Sequence, residues 1–577
     1  MYGRTKTTRN LTVLVVMIYL AGAAAGQIYV DADATGNNDG SSWVHAYNDL
    51  QDALTAVGPG DEIRVAQGTY HPASIVDPNA TFQLINAVSL MGGYAGSGEP
   101  DPDARDVEQY ETILSGDLMG NDLPVADPSD LPDEPTRADN SYHVVTGSGT
   151  DETAVIDGFT ITAGNANGAS VVTNPTQEPL VQGGGMYNQS GNPTVNNCIF
   201  MNNSAVWYGG GMANTNGSNP IITNCKFIRN STKDVNVGMY GNAGGGAINA
   251  FDSNPTFITC DFIDNWGRGG GMVNAFNCSS VLKSCTFKKN TTVRSGGGMY
   301  NWDNCNPTLA HCRFLDNVAG NNGGGMYNDI SCSPILTGCI FSGNTAVNGG
   351  GGILNYDSDP SLTNCVFVGN SANQGGGIRI SSNSTLTMNN CILWGNIPEE
   401  ISGSGIATVS YSDIQGGWSG TGNMDEDPYF ADPGYWHDNG TPNDPNDDFW
   451  FGGDYHLKSQ AGRWNPNSQI WVQDEATSPC IDTGDPALEY CGESWPHGGR
   501  INMGAYGGTA EASISLDDSK GFFVDLNCDG RVDIEDFGLL ALKWMLEQRP
   551  LKEDLDCNGQ VGVNDVAILC RNWLWSE

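Results

Sequence analysis

Through the middle of the chain, apolar and polar residues alternate in short runs, and the whole pattern recurs about every 26 or 27 residues. Each copy has a cysteine and an asparagine five positions later, with a phenylalanine between them two positions after the cysteine, as in Cys312, Phe314 and Asn317; only the last copy has Leu393 in place of the phenylalanine. A run of glycines begins 15 or 16 residues before each cysteine. The chain therefore repeats one structural unit eight times, with its cysteines at Cys198, Cys225, Cys260, Cys285, Cys312, Cys339, Cys365 and Cys391.

Alternation with a period of two predicts β-strands. A helical repeat of this length would need two amphipathic stretches, which the Gly-Gly-Gly and Asn-Pro segments interrupt. A unit this short cannot close a core alone, so successive units must stack as the coils of an all-β solenoid. Stacking at about 4.8 Å per coil makes equivalent side chains neighbours. We therefore predict a column of stacked rings from Phe200 to Phe367 and an amide ladder from Asn203 to Asn396.

A second asparagine column, from Asn188 to Asn355, follows the glycine runs and predicts another amide ladder. The glycine runs themselves predict tight corners that need positive φ. They open no helix, and no Lys followed by Ser or Thr comes after them, which argues against a phosphate-binding loop.

The pairing of Phe-x-x-Asn with Gly-Gly and a following Ala, Ile or Met resembles the repeat of chlamydial polymorphic outer membrane proteins, within the pectin-lyase-like superfamily. This resemblance covers roughly residues 150 to 400 and implies a right-handed parallel β-helix. Residues 28 to 115, with segments such as Gly60 to Tyr70, resemble the amino-terminal entry to such helices in exported proteins of planctomycete-like bacteria. Autotransporting relatives end in a membrane barrel, but nothing after residue 400 supplies its series of alternating strands. We expect no self-insertion into an outer membrane.

The first residues predict export. Arg4, Lys6 and Arg9 precede an apolar run that ends at Leu20, and small residues follow as far as Gly26. This pattern is typical of a signal peptide that is cut near residue 25 or 26. The apolar run is shorter than the about 20 residues of a membrane span. We therefore expect a secreted, extracellular or cell-surface protein that has no transmembrane span after cleavage.

An oxidising compartment would allow the 16 cysteines to form disulfides. In a stack, however, the parallel Cβ atoms of the main cysteine column lie about 4.8 Å apart, beyond the usual bridged range. We predict buried thiols there. A second column holds Cys278, Cys305 and Cys332 where other copies have Ser or Gly, which favours packing, although local pairing with the main column stays open. Cys480 and Cys491, in an irregular region, are the better disulfide candidate, and no Cys-His spacing fits zinc.

The carboxyl end carries two calcium-loop patterns 29 residues apart. Each places oxygen ligands at alternate loop positions and at position 12, with a glycine at position 6 for the sharp turn. We predict two calcium ions. The ligands are Asp525, Asn527, Asp529, Arg531 (through its backbone carbonyl), Asp533 and Asp536 in the first loop, and Asp554, Asp556, Asn558, Gln560 and Asp565 in the second.

Each loop leads into an amphipathic stretch, in which Leu540 and Trp544 match Leu569 and Trp573 at the same offset. Two such loop-helix units resemble the type I dockerin module. The resemblance covers residues 522 to 577 and implies a small α-helical, calcium-dependent domain that docks onto a cohesin-like domain or cell-surface scaffold. Loop positions 10 and 11 depart from the Ser-Thr pairs common in cellulosomal dockerins, so the partner's identity stays open. The alternative is a calcium-stabilised terminal cap without a partner.

The predicted organisation has six parts. They are residues 1–26, a signal peptide; 27–149, an amino-terminal cap and the first divergent coils; 150–400, the β-helix repeats; 401–512, the last coils, an acidic loop and a closing segment; 513–521, a linker; and 522–577, the dockerin-like module.

Charge narrows the possible partners. The chain has 25 basic and 66 acidic residues, a formal net charge of −41. Such an excess argues against nucleic acid and anionic membranes, because phosphates attract clustered Lys and Arg. An extracellular glycan and divalent cations remain compatible with it.

A long coil between Cys225 and Cys260 has about eight extra residues, and insertions in solenoids often mark the binding face. Aromatic residues elsewhere in the repeats offer faces on which sugar rings can stack. The candidate glycan-binding residues are Lys233, Asp234 and Tyr240 in the insertion, and Trp207, Tyr208 and Trp302 elsewhere.

Two functional hypotheses remain. The first, which we favour narrowly, is a non-catalytic surface that contacts polysaccharide or cell-surface glycans. The second is a polysaccharide lyase or glycoside hydrolase of the pectin-lyase-like superfamily, but the sequence identifies no catalytic residue. Of the polygalacturonase motifs only His497-Gly498 and Arg500-Ile501 are found, both beyond the repeats. A carboxylate pair with an arginine on one exposed strand face would favour the enzyme.

Overall fold

The protein was analysed as a computed structural model, which describes residues 26–73, 75–168, 179–233, 244–439, 448–517, 524–546, 550–555 and 560–574. Its main body is built from three long parallel sheets, which we name sheets A, B and C. Through the repeats each coil contributes one strand to each sheet in turn, and each strand pairs with its equivalent in the next coil. This arrangement is a parallel β-helix.

The strands are short, as the period-two runs of the repeats predict. Sheet A consists of Gln27–Val30, Glu62–Ala66, Ser89–Tyr94, Val155–Asp157, Thr194–Asn196, Ile221–Thr223, Thr256–Ile258, Val281–Lys283, Thr308–Ala310, Ile335–Thr337, Ser361–Thr363, Thr385–Asn389 and Ile406–Ser410. Sheet B consists of Gly68–Tyr70, Thr112–Ser115, Thr160–Thr162, Ile199–Met201, Lys226–Ile228, Asp261–Ile263, Thr286–Lys288, Arg313–Leu315, Ile340–Ser342, Val366–Val368, Ile392–Trp394 and Asp413–Ile414. Sheet C consists of Phe82–Gln83, Val145–Thr146, Met186–Gln189, Met212–Thr215, Ala247–Ala250, Met272–Ala275, Met299–Trp302, Met326–Asp329, Ile353–Tyr356, Ile378–Ile380 and Ile401–Gly403.

Two small parallel sheets add a short strand at a corner of the coils. They consist of Asn165–Ala166, Ser204–Ala205 and Ser231–Thr232, and of Thr291–Thr292, Val318–Ala319 and Thr345–Ala346. At the amino-terminal end, the helix Leu50–Ala56 packs Leu50 and Ala53 into the core. The 3₁₀ helices are Trp43–His45, Pro128–Asp133, Pro135–Asp139 and Pro179–Val181.

The predicted column of stacked rings is confirmed. Phe200, Phe227, Phe262, Phe287, Phe314, Phe341 and Phe367 are fully buried, and neighbouring ring centroids lie between 4.5 and 4.9 Å apart. The ring planes are within 5° of parallel, because the strict strand register leaves each ring directly over the next. Facing them across the core are the central residues of sheet A, such as Leu309, and the first residues of sheet C, such as Met299.

Both predicted amide ladders are confirmed. In the one beside the Phe column, the Asn290 side chain accepts from the backbone N–H and the Nδ2 of Asn265 through its Oδ1. Its own Nδ2 donates to the Phe262 carbonyl and to the Oδ1 of Asn317, at 2.8 and 2.9 Å. Every member thus satisfies buried backbone groups of two coils. The second ladder runs from Asn188 to Asn355 inside sheet C through equivalent Nδ2-to-Oδ1 bonds.

The first ladder ends on a carboxylate. Asn396 is its last member, and its backbone N–H and Nδ2 donate to the two carboxylate oxygens of Glu400 instead of to another asparagine. Burial raises the pKa of Glu400 to about 7. Glu400 therefore replaces the acceptor that a further coil would have supplied.

The glycine corners stack as closely as the strands do. The first glycine of a run takes positive φ, as at Gly296 with +73°. The second is needed for close approach, because a Cβ on Gly297 would lie 2.5 Å from the carbonyl oxygen of Gly324 in the next coil. The prediction of tight corners is confirmed.

The repeat cysteines are free thiols buried in their columns. In the second column the backbone N–H of Cys278 donates to the Sγ of Cys305, at 3.2 Å, and the N–H of Cys332 donates to the Oγ of Ser358, also at 3.2 Å. Sulfur and hydroxyl therefore fill the same role. Packing was the correct interpretation of this column, and the local pairings left open by the sequence are not formed.

The predicted disulfide between Cys480 and Cys491 is wrong. Cys491 instead bonds to Cys528, with a Cα–Cα distance of 5.9 Å. Cys480 is fully buried against sheet B, where its Sγ donates to the Oδ2 of Asp413 at 3.1 Å. Because Cys480 points into a core and Cys491 lies at the edge that meets the carboxyl-terminal residues, the two thiols belong to different surroundings.

After the last coil the chain turns back over the outside of sheet B. We name residues 429–439 and 448–517 the closing region. Its strands form three antiparallel hairpins: Phe430–Asp432 with Asp454–Leu457, Tyr435–His437 with Phe449–Phe451, and Arg463–Asn465 with Ile470–Val472. Phe430, Tyr455, Cys480 and Met503 pack on Val366 and neighbouring outer residues of sheet B.

The carboxyl-terminal module contains the helices Ile534–Leu542 and Val563–Arg571. Leu540 and Leu569 are fully buried together with Val524, Val532 and Val561. The equivalent leucines thus build the small core, whereas Trp544 and Trp573 are partly exposed. The proposed signal peptide lies outside the described residues apart from Gly26, and within the described part of the chain no helix has the length and apolarity of a membrane span.

Candidate functional site

The outer face of sheet C carries the largest group of aromatic residues on the β-helix. In its four-residue strands the first and third residues, such as Met299 and Asn301, are buried inside the coil. The second and fourth residues face outward, and strand pairing places them in columns. One column runs Tyr187, Ala213, Ile248, Val273, Tyr300, Tyr327, Leu354 and Arg379, and the other runs Gln189, Thr215, Ala250, Ala275, Trp302, Asp329 and Tyr356.

Part of this face forms a row of rings that we name the aromatic stripe: Phe251, Phe276 and Trp302. The rings of Phe251 and Phe276 stack with centroids 4.7 Å apart, and Trp302 lies 4.7 Å from Phe276 at a tilt of 59°. All three are partly exposed. Phe251 and Phe276 have φ of +56° and +62°, which is a strained conformation for bulky residues. The same corner has positive φ in neighbouring coils, as at Asp303 and Ile330, so this conformation belongs to the coil rather than to the rings.

An arginine, a tyrosine and a carboxylate join the stripe on its neighbouring coils. The Arg268 guanidinium lies 4.6 Å from the ring centroid of Tyr300 and 5.9 Å from that of Trp302. Its Nη2 donates to the Tyr300 hydroxyl at 2.8 Å, and that hydroxyl donates to the Asp329 Oδ2 at 2.9 Å. Guanidinium, phenol and carboxylate therefore form one connected polar chain beside exposed rings.

The electrostatics of this chain are set mainly by burial. Desolvation raises the pKa of Asp329 above its usual range, although the Tyr300 hydroxyl and Arg268 oppose the rise. The nearby charge of Asp357 raises the pKa of Asp329 further. Burial also raises the pKa of Tyr300 and of Tyr327. The tyrosines stay protonated at neutral pH, so they offer hydroxyl groups as donors and acceptors.

Chemically, the surface has what a sugar ring needs. Exposed aromatic faces stack on the apolar side of a pyranose, while hydroxyl, guanidinium and carboxylate groups bond its hydroxyls. The charge of Asp357 acts on Asp329, and Arg268 is connected to Asp329 through the Tyr300 hydroxyl.

The structure brings together some of the predicted glycan-binding residues. Trp302 lies in the stripe, and Trp207 and Tyr208 belong to the same outer cluster on sheet C. Tyr208 is only 3% exposed, so its prediction as a stacking face is wrong: the ring is packed under its neighbours. Lys233 forms an ion pair with Asp133, in the acidic segment before the repeats. Asp234 and Tyr240 lie outside the described residues.

Sequence reasoning missed Phe251, Phe276 and Arg268. Phe251 and Phe276 each come directly after a strand of sheet C, and this position is the signal that could have identified them. Asp329 is the outward fourth residue of Met326–Asp329. The alternation that identified the strands also assigns these side chains to the outside, so a column of outward residues could have been written from sequence.

The first predicted calcium loop has the turns expected of one. The Asp525 Oδ2 accepts from the Gly530 N–H at 2.9 Å, and the Asp536 side chain accepts from the backbone N–H groups of Leu526 and Asp533. Asp533 caps the following helix through the Glu535 N–H. Burial raises the pKa of Asp525, and the charges of Asp536 and Asp529 raise it further, so several carboxylates lie close together.

The residues present fit a calcium ion in this loop. The Asp525 Oδ1 is buried and has no hydrogen-bond partner among the described residues, which is the state of an oxygen reserved for an ion. In the described part of the chain, however, no three His, Cys, Asp or Glu side chains are arranged to hold a metal ion as they stand. The carboxylates instead accept backbone N–H groups. Two of the expected ligands, the Asn527 side-chain amide and the Arg531 backbone carbonyl, are not carboxylates.

The second loop is only partly described. Asp565 is fully buried and accepts from the Gly562 N–H at 2.7 Å, which matches the role of Asp536 in the first loop. Asp554 and Gln560 are described, whereas Asp556 and Asn558 lie outside the described residues. Two equivalent buried aspartates at the same loop position make the duplication a structural as well as a sequence repeat.

Comparison with known proteins supports the fold. Residues 140–320 and 252–416 match the family described as "Right handed beta helix region", and residues 443–484 match the one described as "Disaggregatase related". The first match agrees with the three parallel sheets and confirms the predicted right-handed parallel β-helix. No curated protein matches the chain.

Similar solved structures include the pectate lyase Pel9A, which has 14% identity, a TM-score of 0.42 and coverage of 84% of this chain and 96% of that chain. Tailspike protein 3 of bacteriophage CBA120 has 12% identity and a TM-score of 0.27, over 78% of this chain and 68% of its own. XylC in complex with xylose has 11% identity and a TM-score of 0.31, over 72% of this chain and 88% of its own.

Proposed function

We propose that this β-helix binds polysaccharide along the outer face of sheet C. The observation that carries the proposal is the stripe of Phe251, Phe276 and Trp302 beside the chain of Arg268, Tyr300 and Asp329. Partly exposed rings in a row are well suited to stacking on sugars.

The rest of the chain agrees with an extracellular glycan as ligand. A net charge of −41 disfavours nucleic acid and anionic membranes. The amino-terminal signal-peptide pattern, residues 1–26, would deliver the protein to the outside or to the cell surface. The repeats resemble those of polymorphic outer membrane proteins, which is compatible with a surface-exposed rod.

The test is binding of the mature protein to immobilised pectic, alginate, hemicellulosic and sulfated polysaccharides. We expect at least one polymer to bind. Trp302→Ala should weaken that binding about five- to tenfold, because the stacking of a sugar on one aromatic ring is worth on the order of 1 kcal/mol. The matched control is Tyr435→Ala, which removes an exposed ring from the closing region. Equal affinity of the two variants, or no binding of any polymer, would contradict the proposal.

Cleavage of the bound polymer is a second candidate function. It is favoured by one observation: Asp329, beside the exposed rings, is influenced by the charge of Asp357 and is connected to Arg268 through the Tyr300 hydroxyl. Release of new reducing ends or of unsaturated products would establish it. Asp329→Asn should then abolish turnover but retain binding, since the amide keeps the shape of the carboxylate and an acceptor for Tyr300. Retained turnover in that variant would exclude Asp329 from the chemistry.

For the carboxyl-terminal module, residues 522–577, we propose a dockerin-type function with two calcium ions and a cohesin-like partner. Asp525 and Asp536 in the first loop, and Asp565 in the second, would hold the ions through their carboxylates. Bound calcium would supply charge that holds the acidic loops closed.

Calcium titration of the full chain tests the module. We expect two ions to bind and chelator to lower the melting temperature of the module, while the β-helix transition stays in place. Asp536→Ala should remove one ion. Asp517→Ala, in the segment before the module, is the control. An unchanged melting profile in chelator would overturn calcium dependence, and failure to bind cohesin domains in calcium would leave the module as a terminal cap.

A further inference from the structure

A cavity of about 550 Å³ lies between the closing region and the carboxyl-terminal module. Its walls come from the hairpin Arg463–Asn465 with Ile470–Val472, from the segment around Glu493 and His497, and from the module at Asp525–Cys528 and 550–555. This volume is within the range of small-molecule sites. It is remote in sequence from the repeats and is separate from the aromatic stripe.

The two sides of the cavity are joined covalently and by hydrogen bonds. The Cys491–Cys528 disulfide connects the closing region to the first calcium loop. The Lys552 ammonium donates to the backbone carbonyls of Cys491 and Leu526, one from each side. A cavity whose walls are connected in this way keeps its shape without a ligand, and this lowers the entropic cost of binding.

One wall is aromatic. Trp464 and Trp471 are directly opposite each other in their hairpin, with ring centroids 5.7 Å apart and planes at 66°. Trp464 is 4% exposed and forms the floor, whereas Trp471 is partly exposed. Trp471 therefore presents a flat apolar surface that is already fixed in place by Trp464.

A buried carboxyl group, that of Glu493, also lines the cavity. The Glu493 Oε1 accepts from the backbone N–H groups of Asn502 and Gly508, both at 2.8 Å. The residue is only 3% exposed. Its Oε2 is buried and has no hydrogen-bond partner among the described residues. A buried polar atom without a partner costs stability, so it calls for an explanation such as a ligand.

We propose that this cavity is a second binding site, which takes a short saccharide of one to three rings, with one sugar ring stacked on Trp471 and a hydroxyl bonded to Glu493. A saccharide needs an apolar face on one side and groups that both donate and accept on the other. Burial raises the pKa of Glu493 to about 8, so at neutral pH its Oε2 carries a proton and acts as a donor to a sugar oxygen. A ligand that is apolar throughout would leave this group unpaired.

The proposal does not depend on polysaccharide binding at sheet C. The two sites have separate aromatic residues, so their failures can be told apart. Binding to the stripe depends on Trp302, and binding to the cavity depends on Trp471 and Glu493.

The experiment is titration of the full mature chain, in calcium, with glucose, xylose, galacturonic acid and N-acetylglucosamine and their disaccharides. Binding is followed by calorimetry and by saturation-transfer NMR. We expect at least one probe to bind. Trp471→Ala should weaken it at least tenfold and Trp471→Phe less, while Trp302→Ala leaves it unchanged. Glu493→Gln keeps the Oε1 bonds and a donor at the other atom, so we expect a loss of threefold or less, against at least tenfold for Glu493→Leu.

Circular dichroism and the melting temperature show whether each variant is folded. If Trp471→Ala does not fold, Trp471→Phe is used in its place. No binding of any probe to the wild type would overturn the proposal. Binding that is lost in Trp302→Ala and kept in Trp471→Ala would also overturn it, and would assign the saccharide to the stripe.

Discussion

The repeats and the closing region bury their side chains in opposite ways. In the repeats a buried residue has the equivalent residue of the next coil above and below it, often of the same kind, as Phe314 has Phe287 and Phe341. In the closing region each contact is made once and spans a long stretch of chain, as when the Trp450 indole donates to the Ser342 hydroxyl, 108 residues away. Periodicity makes the environment of a residue a property of its position in the coil. Without it, each environment is particular to one residue.

The largest expected difference between the two regions concerns aromatic rings. Phe314→Ala removes a fully buried ring from the middle of a stack, and we expect a loss of about 4 to 5 kcal/mol in the free energy of unfolding. Phe449→Ala, in the closing region, removes a ring that is 41% exposed and should cost less than about 1 kcal/mol. Chemical denaturation measures both. Similar losses of unfolding free energy in the two variants would mean that a ring in the column contributes no more to stability than an exposed ring of the closing region.

The next effect tests the amide ladder. Asn290→Ala leaves the buried N–H of Asn265 without its acceptor and removes one hydrogen bond each from the Asn265 Nδ2 and the Phe262 carbonyl, so we expect a loss of about 3 kcal/mol. Asn348→Ala is the control, because the Asn348 amide reaches only the Asn321 Oδ1 at the exposed surface and its φ is not positive. Its loss should be below about 0.5 kcal/mol. A small effect of Asn290→Ala would show that water or a neighbouring amide replaces the lost groups.

The stability of the closing region should depend on pH. Burial raises the pKa of Glu493 from 4.5 to about 8, so the folded protein holds this proton more tightly than the unfolded chain does. Its contribution to stability is therefore complete below about pH 4.5 and is lost as pH rises towards 8. Glu493→Gln cannot ionise. We expect it to equal the wild type near pH 4 and to be more stable at pH 8 by on the order of 4 kcal/mol.

Denaturation of wild type and variant across this pH range measures the difference. Parallel stability curves would mean that Glu493 ionises normally, and would place its second oxygen in contact with water.

The smallest effect is expected at a position where some repeats have cysteine and others have serine. Cys305→Ser retains an acceptor for the Cys278 N–H and a donor to the Trp302 carbonyl, as Ser358 does two coils later. The change in unfolding free energy should be below about 1 kcal/mol. A loss above about 2 kcal/mol would show that the larger sulfur fills space that a hydroxyl leaves empty.

This contrast explains what the sequence could predict. Columns such as Phe200 to Phe367 and Asn203 to Asn396 follow from a period and a strand spacing, so they were predictable residue by residue. Even the outward column with Trp302 and Asp329 follows from alternation once the strands are placed.

The closing region offers no such rule. The choice of Cys491 to bond Cys528 rather than Cys480 depends on which edge of the fold meets the carboxyl-terminal module. The cavity beside it combines three separated segments, and no local pattern marks Trp471 and Glu493 as neighbours. The positive φ of Phe251 and Phe276, by contrast, recurs at the same corner of other coils, although the residue there varies.

Glu400 at the end of the amide ladder has a consequence for how these rods behave in a crowded suspension. An open-ended stack presents a ready surface for the first coil of another molecule, and end-to-end growth would then produce fibres. The Glu400 carboxylate already occupies the donors of Asn396 that such a neighbour would need. A second rod arriving there would have to displace a buried acid. One side chain thus helps to keep the protein a discrete particle rather than a filament.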